Sequence, residues 1–365
     1  MNFTKLIEAF GIPGSYIGSE ELSAGNINQT YRLHFYNNED TFYIMQRLNT
    51  NVFRQPRPLM DNIRRVTEHI GNKLEGMGCR DTHRRVLHFL VARDGNPFVE
   101  DETGFWRAYR YVDKAYTYDI IQDSYCFYQA GRAFGEFQKY LVDFPADTLA
   151  ETIPHFHDTV DRMHQLHEAV EKDVAGRVAS VQEEIGFVFA REKEAATIVE
   201  ALTSEKIPYR VTHNDTKINN VLFDSHSRAP LCVIDLDTVM PGSSLYDYGD
   251  AIRSGTNTAG EDEENLSLIR FDLDLFEKFT RGFLEATAEC LTREEILLFP
   301  AAARIMTLEL VARFLTDYLN GDTYFKIKKP GHNLIRTRNQ IELLRQMEAA
   351  TPAMEAIVAD FCPLC

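Results

Sequence analysis

The chain has 365 residues, with 39 Lys and Arg against 55 Asp and Glu, a formal net charge of −16. Apolar residues make up 44% and charged residues 26%, which excludes a disordered or collagen-like chain and leaves length for two domains or one large one. The acidic balance argues against nucleic-acid or anionic-membrane partners, because both need basic surface.

The start, Met1 to Gly14, carries Lys5 and Glu8 and no continuous apolar run, so it does not read as a secretory signal. The longest apolar runs, such as Ile296 to Ala303, are far short of a bilayer span. Cys79, Cys126, Cys232 and Cys290 are isolated, which suits reduced thiols. Cys362 and Cys365 have CxxC spacing but no second ligand pair for zinc. A cytoplasmic protein is expected.

The first third predicts strands at Tyr16 to Leu22, Tyr31 to Phe35 and Thr41 to Leu48, with turn residues Tyr36 to Asp40 before the last. Leu59, Ile63, Val66, Ile70 and Leu74 make a helical stripe. Further strands are expected at Arg85 to Ala92, Pro97 to Glu100 and Phe105 to Val112. From Ser124 the pattern turns helical: Tyr125 to Leu141, Leu166 to Val178 and one long helix, Val181 to Thr203. A pair over Thr292 to Asn320, broken near Pro300, and a helix at Ile335 to Met347 follow. One β-rich insert, Tyr209 to Asp237, lies within this block. The change of pattern predicts a β-rich lobe at 1–112 and a mainly helical lobe at 113–365.

The chemistry concentrates in residues 209–254. Arg210 to Asp224 is a dense polar loop ending in an apolar strand, and a second apolar strand, Pro230 to Ile234, ends at Asp235. A hairpin bringing Asn220 and Asp235 to one end outlines a Mg²⁺ site, because amide and carboxylate oxygens suit a hard cation held partly through substrate phosphates. Asp215 is a candidate acceptor for a hydroxyl proton.

His213-x-Asp215-x-x-x-x-Asn220, followed by Val233-Ile234-Asp235, resembles the signature of the aminoglycoside phosphotransferase and choline kinase-like family. It corresponds to the catalytic loop and metal-binding aspartate of protein kinases. The stretches Val211 to Lys217, Ile234 to Ser243, Arg253 to Ala259, Glu151 to Asp158 and Asn333 to Arg338 are similar to N-acetylhexosamine 1-kinases, and Gly25 to Tyr31 extends the likeness. The resemblance implies an α+β, bilobal protein-kinase-like fold. It also implies ATP- and Mg²⁺-dependent phosphorylation of the anomeric hydroxyl of a small-molecule N-acetylhexosamine. By the same likeness Asp215 is the catalytic base beside the sugar, Asn220 and Asp235 hold Mg²⁺, and His213 supports the loop. Asp250 is expected to tie that loop down.

Two features depart from the family pattern. The nucleotide loop, Ser23 to Thr30, has only Gly25, so Gly25, Asn26, Asn28 and Thr30 are expected to hold phosphates through an Asn-rich turn. On the third strand Gln46 stands where a kinase lysine belongs, and Arg47 faces the other way in a regular strand. Either Gln46 touches the phosphates uncharged or a bulge re-aims Arg47. Glu68 would be the lysine's partner or a plain surface glutamate. Adenine is expected against the hinge at Tyr111 and Val112.

For the sugar, Arg313 in an apolar helix and Tyr324 are expected to bond hydroxyls and the acetamido carbonyl. The bland reading of Arg313 is an ion pair with Glu309 or Asp317. Asp237 is a weaker candidate, and His155, His157, His164 and His167 read as a loop and helix start near the substrate, not as zinc ligands. Arg313 and Arg338 favour a neutral sugar over an aminoglycoside. The alternatives are another small-molecule kinase of this fold, or a catalytically silent binding protein, which Gln46 permits.

Overall fold

The computed structural model describes residues 3–22, 27–36 and 42–362. The chain divides into two units, Met1–Thr117 with Asp143–Pro154 and Asn220–Pro241, and Tyr118–Val142 with His155–Asn219 and Gly242–Cys365. This differs from a single cut after residue 112. The segment bearing Asn220 and Asp235 belongs to the first unit because its strand Val221–Asp224 pairs antiparallel with Ala115–Tyr116.

In the first unit, apolar alternation at Leu33, Phe35, Tyr43, Met45, Trp106 and Ala108 gives a sheet one face of which is buried. Its strands are β1 (Ser15–Leu22), β2 (Gln29–Tyr36), β3 (Tyr43–Leu48), β4 (Val99–Asp101) and β5 (Gly104–Arg110), in the order β1-β2-β3-β5-β4, all pairs antiparallel. Phe3, Leu6, Ile7 and Phe10, in and around helix α1 (Thr4–Ala9), cover that face. Helix α2 (Pro56–Gly76) opens on a proline, which has no N–H to lose there, and buries the predicted stripe.

The register of β3 is regular against both neighbours, with Gln46 opposite Thr30 and Arg107. No bulge re-aims Arg47; its guanidinium donates to Gln29 Oε1 at 3.2 Å. The strand expected over Arg85 to Ala92 is absent. Phe89 alone bridges to Tyr109, because β4 already occupies the Gly104–Trp106 end of the same β5 edge. The turn expected over Tyr36 to Asp40 lies almost wholly outside the described residues.

The second unit is helical: α3 (Ser124–Tyr140), α4 (Thr159–Lys172), α5 (Gln182–Phe189), α6 (Glu192–Ala195), α7 (Thr197–Thr203), α8 (Ser244–Gly255), α9 (Leu273–Thr287), α10 (Arg293–Leu297), α11 (Phe299–Leu319) and α12 (His332–Phe361). Glycines let α3 and α9 approach closely. A Cβ on Gly131 would stand 2.4 Å from the Phe279 carbonyl oxygen. Leu308, Val311, Ala312 and Leu315 of α11 pack with Met163 and Leu166 of α4 and Ile341 and Leu344 of α12.

The single helix expected over Val181 to Thr203 is three. Arg191 Nη1 donates to the Phe187 carbonyl at 2.8 Å and the Thr159 hydroxyl donates to the Ala195 carbonyl, at the places where the helical ladder is interrupted. Helix α8 was not read from the sequence, although nearly all its residues are buried. Among the described residues no helix is long and apolar enough to cross a membrane.

Candidate active site

In the second unit, the loop after strand Arg210–Thr212 is fixed from several sides. The buried Asp247 carboxylate accepts the backbone N–H of His213 at 2.9 Å, that of Asn214 at 2.7 Å and the Gln138 amide at 2.7 Å. The Thr216 N–H donates to Asp250 at 3.2 Å, and its hydroxyl to the Asp247 carbonyl at 2.5 Å. His157 bridges the Asn214 carbonyl (3.2 Å) and Glu309 (2.9 Å). Asn214 has φ +65°, a left-handed turn in the middle of the loop.

His213 is fully buried, edge-on to Phe134 and Phe137, and its Nδ1 accepts the Asp215 N–H at 3.2 Å. Asp215 is half-exposed and pairs with Lys217 at 2.7 Å; that neighbouring carboxylate holds the Lys217 ammonium above its usual range. Asp250 receives Arg253 at 2.8 Å. Burial pushes the Asp250 carboxyl upward, but Arg253 and Lys217 outweigh it and keep the group below its ordinary value. Asp247, Lys217 and Arg253 were missed from sequence, although Asp247, Asp250 and Arg253 recur at i, i+3, i+6 on one helix face.

In the first unit, Val221 pairs with Val233, and the Ile234 N–H donates to the Asn220 carbonyl at 2.9 Å. This register sets Asn220 and Asp235 at the same end of the hairpin. Asn220 is buried, and Asp235 has φ +59°, a strained backbone of the kind concentrated at functional sites. An amide oxygen and a carboxylate are the hard donors Mg²⁺ prefers, and two protein donors fit a cation completed by phosphates and water. Among the described residues no group of three or more His, Cys, Asp or Glu could hold a metal; His167 instead pairs with Glu192 and stacks on Phe189.

Gln46 donates to the Thr30 hydroxyl at 2.8 Å and accepts Arg107 Nε at 2.8 Å. Arg107, 2% exposed, also bonds Asp237, which accepts the Asn28 amide at 2.6 Å. Burial works against the Arg107 charge, yet the Asp237 carboxylate holds its pKa above the ordinary arginine value. Glu68 is exposed and paired with Arg64 at 2.9 Å, so the surface reading holds for it. Asn62 of α2, also missed, clamps the segment beyond Asp237 by donating to the Val239 carbonyl at 3.0 Å. The Tyr111 N–H donates to the Phe42 carbonyl at 3.0 Å, and Val112 is buried. Gly25 and Asn26 lie outside the described residues.

Arg313 bonds Glu309 at 3.1 Å and lies over the Phe156 and Phe325 rings at 5.3 and 5.6 Å. Tyr324 is 69% exposed, its loop held by Asp317, which accepts the N–H groups of Thr323, Tyr324 and Phe325. Arg338 pairs with Glu184 at 2.6 Å, so its charge already has a partner.

Residues 20–282 match the phosphotransferase enzyme family. The chain belongs to that family. Among solved structures it is similar to an amicoumacin kinase in complex with AMP-PNP and Ca²⁺, at 12% identity and a TM-score of 0.59, covering 95% of this chain and 94% of the other. It is similar to a microcompartment-associated aminopropanol kinase at 14% identity and a TM-score of 0.58, covering 97% and 99%. It is also similar to choline kinase from Cryptosporidium parvum Iowa II at 12% identity and a TM-score of 0.59, covering 99% and 94%. The fold is the α+β kinase-like fold implied by the motif.

Proposed function

We propose that the protein is an ATP- and Mg²⁺-dependent kinase that phosphorylates the anomeric C1 hydroxyl of N-acetylglucosamine or N-acetylgalactosamine. The observation that carries the kinase chemistry is the hairpin register that sets Asn220 and Asp235 together, following a loop whose backbone Asp247 fixes. Phosphoryl transfer asks the protein mainly for alignment and charge neutralisation. Asp215 accepts the proton of the C1 hydroxyl as that oxygen bonds to the γ-phosphorus and the bond to the β-phosphate oxygen breaks, releasing ADP. An anomeric hydroxyl is more acidic than an ordinary sugar alcohol, so one carboxylate is a sufficient base. Asn220 and Asp235 would hold Mg²⁺, which neutralises phosphate charge.

The likeness of Val211 to Lys217 and of Asn333 to Arg338 to N-acetylhexosamine 1-kinases supports the acceptor class. Arg313, set among Phe156, Phe325 and Glu309, is the residue we assign to the sugar, together with Tyr324, whose ring meets Phe325 in the same unit. The second reading is a kinase for an amino alcohol or aminoglycoside, supported by the solved relatives named for such substrates. ADP release measured with Mg-ATP over N-acetylhexosamines, neutral sugars, choline, aminopropanol and aminoglycosides separates the two. Stimulation by N-acetylhexosamines alone supports the first reading; stimulation by an amine substrate alone rejects it.

A further inference from the structure

The kinase fold takes one positive charge for the nucleotide phosphates from a lysine on its third strand, and β3 of this chain offers the neutral Gln46 there. The neighbouring strand supplies a cation at the same level. Arg107 of β5 stands directly opposite Gln46 on the same sheet face, and Gln46 holds it by accepting its Nε at 2.8 Å. Gln46 in turn bonds Thr30, and the Asp237 carboxylate that pairs with Arg107 also accepts Asn28, so both partners of the arginine reach the end of the nucleotide loop. Asp237 lies two residues beyond Asp235.

A buried Arg–Asp pair is a poor device for stability, since apolar replacements of similar bulk are often as stable. Its position beside the loop and the hairpin end points to another use. We propose that Arg107 is the phosphate-binding cation of this protein, moved from the third strand to the fifth, with Gln46 orienting it and Asp237 as its counter-ion when no nucleotide is bound. The proposal rests on the ATP-kinase reading above.

Calorimetric titration of Mg-ATP and of adenosine, which has no phosphates, tests it on the full chain. Asp237→Asn, which removes the carboxylate that competes with phosphate for Arg107, is expected to bind Mg-ATP at least as tightly as the unaltered protein, with adenosine unchanged. Arg107→Gln/Asp237→Asn, which swaps the ion pair for two amides, is expected to lose about tenfold or more in Mg-ATP affinity with adenosine unchanged, the size of a charge-assisted bond. Arg107→Met/Asp237→Leu gives the same split if the amide pair does not fold. Equal Mg-ATP affinity in the double variant, equal losses for both ligands, or a full loss in Asp237→Asn alone would each overturn the assignment. If the unaltered protein binds no nucleotide at all, the kinase reading fails and this inference with it.

Discussion

Asp247 on α8 holds the N–H of Asn214 at 2.7 Å, and that bond helps keep a left-handed residue in the turn ahead of Asp215. The same carboxylate accepts His213 N–H and the Gln138 amide. Asp247→Ala leaves these buried donors without their acceptor, at a cost of about 1–3 kcal/mol each where no water replaces it. Chemical denaturation should show a lowered midpoint, with turnover reduced in parallel. An unchanged midpoint would mean that Asp247 is not what fixes the loop.

The α3–α9 contact is set by glycine. Gly131→Ala places a methyl 2.4 Å from the Phe279 carbonyl oxygen, and Gly282→Ala one 2.2 Å from the Tyr128 carbonyl oxygen. Each should destabilise the protein by about 1–3 kcal/mol, the usual cost of overpacking. Urea titration of both variants measures it, and values within experimental error of zero would show that the helices part freely.

Glu309 gives the pH dependence. Burial raises its pKa, but His157, Arg313 and Arg162 outweigh that and hold it below the ordinary glutamate value. A lowered folded pKa contributes stability that is fully present above the unfolded value, about 4.3, and is lost as pH falls through the folded value. Denaturation midpoints between pH 6 and 3 should fall less steeply for Glu309→Gln than for the unaltered protein, although the variant starts lower at neutral pH. Parallel curves would remove Glu309 from the acid transition.

The third strand, α2 and the 220–235 hairpin were legible in the sequence because each satisfies its periodicity locally. So was the alternation that sends Gln46 and Arg47 to opposite faces. Arg107 and Asp237 were not legible as a pair, since 130 residues separate them and only the β3–β5 register brings Arg107 beside Gln46. The broken helix at Arg191 and Ala195 was hidden for a different reason. No residue at either interruption is a strong helix breaker, so neither stop can be read from residue type.

Metal dependence should follow Asn220 and Asp235. Chelation with EDTA is expected to abolish acceptor-dependent ADP release, and added Mg²⁺ to restore it. Asp235→Asn should raise the Mg²⁺ concentration needed for half-maximal rate about tenfold or more, because a neutral donor replaces the charged one. Release that persists in EDTA would exclude this hairpin as the metal site.

Arg313→Ala should raise the KM for the hexosamine while leaving that for ATP within about twofold, as expected of a contact confined to the sugar. Equal rises in both constants would assign Arg313 to the packing of Phe156, Phe325 and Glu309.

Asp215 and the position of the transferred phosphate carry the central claim. With Mg-ATP and N-acetylglucosamine or N-acetylgalactosamine, NMR of the product should show phosphorus coupled to the anomeric proton. Asp215→Asn should slow its formation about 10²–10⁴-fold, the range of general-base catalysis. Phosphate on C6, or full turnover in Asp215→Asn, would contradict the account.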